Sequence, residues 1–335
     1  MSEMNGMNTF NEMDHQADQN TGFSSPEISP RRPAKPWQGI VFFAAVIAMM
    51  IFIAAPVQYF FGMPGLALTE LFLLIMAVAA TFIFGQDLRQ VFPVHRPQVK
   101  PIFATILTWI GCLLLLMVVS LLLMYFFPEG YLETSSGLSE VLSSTALPIT
   151  FFIVAIMPAI CEEAVCRGFL QYSFQSVKSQ AAIVICMGIF FGIFHLDPYR
   201  FLPMTILGMG IAYVMQKTQN MLYPCLFHFI NNAFSVLLSS GGNVETSTDI
   251  FTGPMILLSL GVYLMFAAAS PFCLLGAHCL LRKPATQKKS LLVPVLVTSF
   301  LAGLMIVIGF CLMIFALTDP EFLTMTEEMV GGNLI

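Results

Sequence analysis

Nine apolar stretches dominate this chain and leave it little choice of fold. They run at 39–61, 66–84, 102–127, 148–170, 181–195, 201–215, 221–238, 254–281 and 291–317. Together they hold 194 residues and only four charged side chains: Glu70, Glu162, Glu163 and Arg167. A helix crosses the hydrocarbon core of a bilayer with about 20 predominantly apolar residues. The fold class expected is therefore all-α, a polytopic transmembrane helical bundle of about nine spans. Composition agrees: 10% of the 335 residues are charged, against roughly 25% in an ordinary soluble protein. A soluble enzyme and a nucleic-acid binder are both excluded. The net charge of −5 says nothing of partners, because topology sorts the charges.

Lys and Arg set the orientation. With nine spans, one side of the membrane receives twelve of the fourteen: Arg31, Arg32, Lys35, Arg89, Arg96, Lys100, Lys178, Lys217, Arg282, Lys283, Lys288 and Lys289. The other side receives only Arg200, and Arg167 lies inside a span. Positive loops stay cytoplasmic, which puts the N-terminus inside; the localisation expected is that of a multi-pass integral membrane protein of the plasma membrane. Residues 1–36 are polar and proline-rich, without the apolar core of a signal peptide, and read as a disordered cytoplasmic tail. The transmembrane domain then covers 37–317, and 318–335 form a short C-terminal tail. Residues 128–147 and 239–253 read as polar outer loops. The eight cysteines all fall within spans and read as small hydrophobes. No internal repeat is evident, which disfavours the duplicated architecture of many transporters.

Two stretches, 181–195 and 201–215, are short, about 22 Å each at 1.5 Å per residue. The turn between them, 196–200, is expected to stop below the outer surface, where polar backbone is tolerated only against protein or a wet cavity. Gly188 and Gly192, four apart, suit a close helix–helix contact.

Three of the four charges within spans sit inside six residues. A charge at membrane depth costs at least ~2.5 kcal/mol on insertion scales. Glu163 and Arg167 are i and i+4 and can pair. Glu162 points about 100° away and is free to face another neighbour. Glu70, four residues into its stretch, reads as an interfacial residue reaching headgroups. Of the histidines, His15, His95 and His278 read as solvent- or headgroup-facing. His195 closes the first short span. His228 and Asn232 are i and i+4 in another span, with Asn231 adjacent. Two carboxylates, an arginine, two imidazoles and an amide at membrane depth make a toolkit for hydrolysis: a base, a water and oxyanion donors. Depth arithmetic puts His195 higher than Glu162, so their convergence requires a deeper start, a tilt or a shift of that helix.

Glu162-Glu163-Ala-Val-Cys-Arg167 reads as E-E-x-x-x-R, Phe191-Gly-Ile-Phe-His195 as F-x-x-x-H, and His228-Phe-Ile-Asn-Asn232 as H-x-x-x-N. In this order, on separate spans, they resemble the three motifs of the CPBP family, the CAAX prenyl protease and bacteriocin-processing family. These proteins are also called Abi or type II CAAX endopeptidases, and they include the Ras-converting CAAX proteases. The resemblance covers about 145–240. It implies an intramembrane endopeptidase in which Glu162 activates the hydrolytic water with His195 as partner. It further implies that His228 and Asn232 stabilise the oxyanion, with Glu163 and Arg167 bracing the site; Asn231 competes for the role of Asn232.

The substrate expected is a membrane-embedded or lipidated protein or peptide in the bilayer, cut near its C-terminus. No cofactor is favoured. Glu162, His195 and His228 are also a zinc-ligand set by residue type, although no H-E-x-x-H is present. The other readings are an ion-coupled transporter using the same ionisable groups and a non-catalytic membrane immunity or scaffold protein.

Overall fold

A computed structural model describes residues 34–143, 145–240, 253–282, 290–320 and 322–324. Most of the tail expected at 1–36 lies outside the described residues, as do 241–252 and 325–335. Every regular element among the described residues is a helix. We number those of twelve or more residues α1 (Pro36–Phe61), α2 (Met63–Ile83), α3 (Val99–Phe126), α4 (Pro128–Ser143), α5 (Leu147–Ser173), α6 (Gln180–Phe194), α7 (Pro198–Thr218), α8 (Leu222–Ser240), α9 (Gly253–Ala267), α10 (Ser270–Leu281) and α11 (Leu292–Leu317). Seven helical segments are long and apolar enough to cross a membrane: α1, α2, α3, α5, α8, the α9–α10 pair and α11. The apolar stretches in the sequence thus become helices, with ends moved by a few residues.

Helix ends follow local chemistry. α1 starts with Pro36 at its first position, and the Gln38 side chain accepts from the Lys35 N–H at 2.7 Å. Proline is suited to that place because its missing N–H would have no partner there. α1 turns into α2 at Gly62, whose φ of +56° is a conformation glycine adopts without a side-chain clash. Asp197 caps α7, its Oδ1 accepting from the N–H groups of Tyr199 at 2.8 Å and Arg200 at 3.1 Å. That cap extends α7 beyond the apolar stretch 201–215. The helix has 21 residues, about 32 Å at 1.5 Å per residue, so it is not a short span as expected from its apolar part.

The supposed loop at 128–147 is largely the helix α4. Pro128 opens it and Glu129 stands in its first turn, where the positive end of the helix dipole favours an acid. It packs against α3, α7 and α8. Tyr199 lies against Gly130, where even a Cβ would collide with the phenol ring.

α5 is the most buried of the spanning helices, with half of its apolar window inside the protein. It is also irregular: Phe151–Ile156 and Ala164–Leu170 are π-helical, and Gly168 has a non-helical ψ of −106°. Such bulges re-aim side chains and recur at functional sites. The bulge at Ala164–Leu170 begins directly after Glu163. Around α5 pack α1, α2 and α8, with a core that includes Phe42, Val46, Leu73, Phe169, Leu170 and Met187. α11 packs on α9 and α10 and lies apart from this centre.

α6 and α7 pack closely against each other. A Cβ on Gly188 would stand 2.8 Å from the Thr205 carbonyl oxygen, and one on Gly192 2.6 Å from that of Phe201. Neither contact leaves room for a side chain, so both glycines serve close packing. Gly192→Ala is therefore expected to lower the melting midpoint in detergent, at a cost of about 1–3 kcal/mol from overpacking. It should also reduce any activity that depends on His195, three residues further on. An unchanged melt would show that the two helices separate freely.

Candidate active site

Three helices carry the site residues around a cavity of about 690 Å³. Glu162 on α5, His195 at the end of α6, and His228, Asn231 and Asn232 on α8 all line it. The residues singled out in the sequence therefore converge, including His195, which depth arithmetic places higher than Glu162. Phe191 makes the link: its ring meets His195 edge-on at 4.8 Å and His228 at 5.8 Å between centroids.

Beneath the cavity lies a charge network. Glu163 and Arg167 are fully buried, with Arg167 Nη1 donating to Glu163 Oε1 at 2.9 Å. Arg167 Nη2 donates to the Gly208 carbonyl at 3.0 Å, and the guanidinium stacks 4.4 Å over Phe191. Glu163 Oε1 also meets His228 Nδ1 at 2.7 Å. This one salt bridge thereby ties α5 to α6, α7 and α8. In a low-dielectric interior a buried charge is tolerated when paired and hydrogen-bonded in this way.

Those contacts fix how the imidazoles face the cavity. A carboxylate only accepts, so His228 donates from Nδ1 and turns Nε2 towards Glu162, 3.9 Å from its Oε2. That Glu162 oxygen has no hydrogen-bond partner among the described residues. His195 Nδ1 is held by the Phe191 carbonyl at 2.8 Å, so its Nε2 is the free nitrogen. Asn232 Nδ2 donates to the Val154 carbonyl at 2.9 Å, and an amide nitrogen has a second proton to give. Asn231 donates to Asn232 Oδ1 at 3.3 Å and so supports its neighbour. His228, Asn231, Asn232 and Ser235 form a polar stripe on α8, at the i, i+3, i+4 and i+7 spacing of one face.

Leu196, directly after His195, has a φ of +53°. A branched residue in the left-handed region costs about 1–2 kcal/mol, and here it turns the chain from α6 into α7 beside the site. Among the described residues no group of three His, Cys, Asp or Glu side chains is arranged to hold a metal ion.

Glu70 departs from its expected place. It is 2% exposed, on α2 packed against α5, and it lines the same cavity. It does not reach headgroups. Its one signal at the level of sequence is its standing as the fourth charge within a span. Other cavity residues carried no signal in their motifs: Gln58 and Thr69, hydrogen-bonded at 2.9 Å, Tyr131 and Glu133 on α4, and Asp197 and Arg200 at the start of α7. His278 likewise has a partner within the protein, the Tyr213 hydroxyl at 2.7 Å from its Nδ1.

Residues 144–234 match the family described as type II CAAX prenyl endopeptidase Rce1-like. That segment, 91 of the 335 residues, carries the chain's likeness to the CAAX-protease (CPBP) family. No curated protein and no solved structure matches the chain. The Rce1-like segment runs from just before α5 into α8, and so includes Glu162, His195, His228 and Asn232. It leaves out α1 to α4, which supply Gln58, Thr69, Glu70 and Glu133 to the cavity wall. The protein is a multi-pass membrane-helical protein with a CAAX-protease-type segment at its centre.

Proposed function

We propose that this protein is an intramembrane endopeptidase that hydrolyses a peptide bond near the C-terminus of a membrane-embedded or lipidated substrate. The observation that carries the reading is one cavity collecting Glu162, His195, His228 and Asn232 from three helices of the Rce1-like segment. Glu162 is the general base. Its free Oε2 takes a proton from water, whose oxygen attacks the scissile carbonyl carbon. The unprotonated Nε2 of His195 accepts the water's other hydrogen and helps to aim it. The carbonyl oxygen becomes an oxyanion, met by the second Nδ2 proton of Asn232 and by His228 Nε2, which donates when the ring carries both protons. The carbon–nitrogen bond then breaks, and Glu162 returns its proton to the departing amine. Glu163 and Arg167 hold the histidine and the helices in register.

Nine spans, with the N-terminus on the basic side, complete the proposal. α6 and the 21-residue α7 supply the two spans beyond the seven most apolar segments. The cavity wall takes residues from α4, from the α6–α7 turn and from the α2 end of α1, all on the side that the twelve basic residues avoid. Its mouth would therefore open away from the cytoplasm.

The direct test compares the C-termini of membrane proteins in cells holding the active protein with those in cells holding a Glu162→Gln form. A protein shortened only in the first is the expected result. Identical C-termini in both would remove the proposal. We further propose that no metal takes part. Purified active protein is expected to carry far less than one zinc per chain and to keep its activity in a chelator. Stoichiometric zinc, lost in His195→Ala, would assign the same residues to a metal instead.

A further inference from the structure

Arg200 stands out twice. It is the one basic residue on its side of the membrane in the expected topology. It is also the only Lys or Arg among the described residues lining the cavity, whose wall carries the carboxylates Glu70, Glu133, Glu162 and Asp197. Despite that company its guanidinium has no ion pair within 4 Å and no side-chain hydrogen bond among the described residues. The nearest acid in sequence, Asp197, uses its Oδ1 to cap α7. Arg200 shares the cavity wall with Glu162 and His195, and it lies within electrostatic reach of Asp197 and Glu162. An unpaired cation retained beside membrane-depth chemistry is costly and marks a function.

We propose that Arg200 binds the C-terminal carboxylate of the substrate and so fixes which peptide bond reaches Glu162. This rests on the peptidase reading above. A substrate cut near its C-terminus brings a free carboxylate into the cavity, within about 10 Å of the scissile bond if three extended residues intervene. The acidic groups on the wall repel that carboxylate everywhere else. The planar guanidinium fork matches its geometry with two parallel hydrogen bonds. Arg200 is then a reader of chain ends: internal segments and amidated peptides, which lack the charge, are poorly held.

The test uses purified full-length protein in vesicles of phosphatidylcholine alone, so that no anionic lipid competes. The probe is a farnesylated C-a-a-X peptide ending in methionine, made once as the free acid and once as the amide. Wild type is expected to prefer the acid by about 10- to 100-fold in kcat/KM, the range of a charge-assisted pair. In Arg200→Gln that ratio should collapse to near one, and Arg200→Lys should fall between. A wild-type ratio near one overturns the inference. So does a preserved ratio in Arg200→Gln with both rates lowered alike, which would make Arg200 a balancer of the cavity's charge. If Arg200→Gln cuts neither peptide, binding of acid and amide is compared in Glu162→Gln and in Glu162→Gln/Arg200→Gln. Loss of the acid preference in the double variant supports the inference, and its persistence overturns it. Wild type that cuts neither peptide would instead remove the peptidase reading, and the assignment of Arg200 with it.

Discussion

Glu162→Gln is expected to slow peptide hydrolysis by about a thousandfold or more, within the range of a lost general base, while the protein folds and melts much as its parent does. Size and shape are conserved, so the cavity keeps its volume. The charge network is spared, because Arg167 and the Nδ1 of His228 are both held by Glu163. Glu162 itself contributes little to that scaffold: its Oε2 has no hydrogen-bond partner among the described residues and stands 3.9 Å from His228 Nε2. An amide in its place accepts no proton from water at neutral pH, and the attacking oxygen is left as a poor nucleophile. Residual cleavage measured with purified protein and a lipidated peptide should then come only from binding and the oxyanion donors. Activity within tenfold of the parent would move the base elsewhere, and Glu70, on the wall of the same cavity, would be the next group to replace.

Much of this arrangement was legible in the sequence, because a membrane leaves few ways to use an apolar stretch. Each of the nine is helical, 254–281 as the pair α9 and α10, and Gly188 and Gly192 meet α7 as their spacing suggests. Legibility failed where the signal was direction rather than depth. Glu70 was counted as interfacial from its position near the start of a stretch. Burial depends on which neighbour a helix face meets, and α2 turns that face towards α5. α4 reads as a loop because Ser, Gly and Glu are frequent along it and its few apolar residues are spread out. α7 was undersized because its capped first turn and its last turn carry polar residues. The apparent height of His195 came from treating α6 as an upright rod beginning at residue 181. In the fold, the close α6–α7 contact and the Phe191 ring bring its imidazole to the cavity shared with Glu162.

Glu163→Ala is expected to destabilise the protein by about 3–5 kcal/mol, the cost of breaking a buried ion pair by removing one partner, and by clearly more than Glu162→Ala does. Two carboxylates adjacent in sequence thus differ in what they hold. Glu163 Oε1 takes hydrogen bonds from Arg167 at 2.9 Å and from His228 at 2.7 Å, so its loss strands a fully buried cation and frees a histidine. The remaining partners of Arg167 are a neutral carbonyl and an aromatic face, neither of which cancels a charge. Removing Glu162 opens space in a cavity that is already present. In detergent melts the Glu163→Ala midpoint should fall by on the order of 10 °C, with a smaller shift for Glu162→Ala. Equal or reversed shifts would contradict the division of labour between them. A further comparison separates charge from packing: Glu163→Met/Arg167→Met removes both charges together and should recover part of the loss, since the penalty lies chiefly in the cation left alone. If the double substitution is as unstable as Glu163→Ala, the contacts to Gly208 and Phe191 hold α5 to α6 and α7 more than the ion pair does.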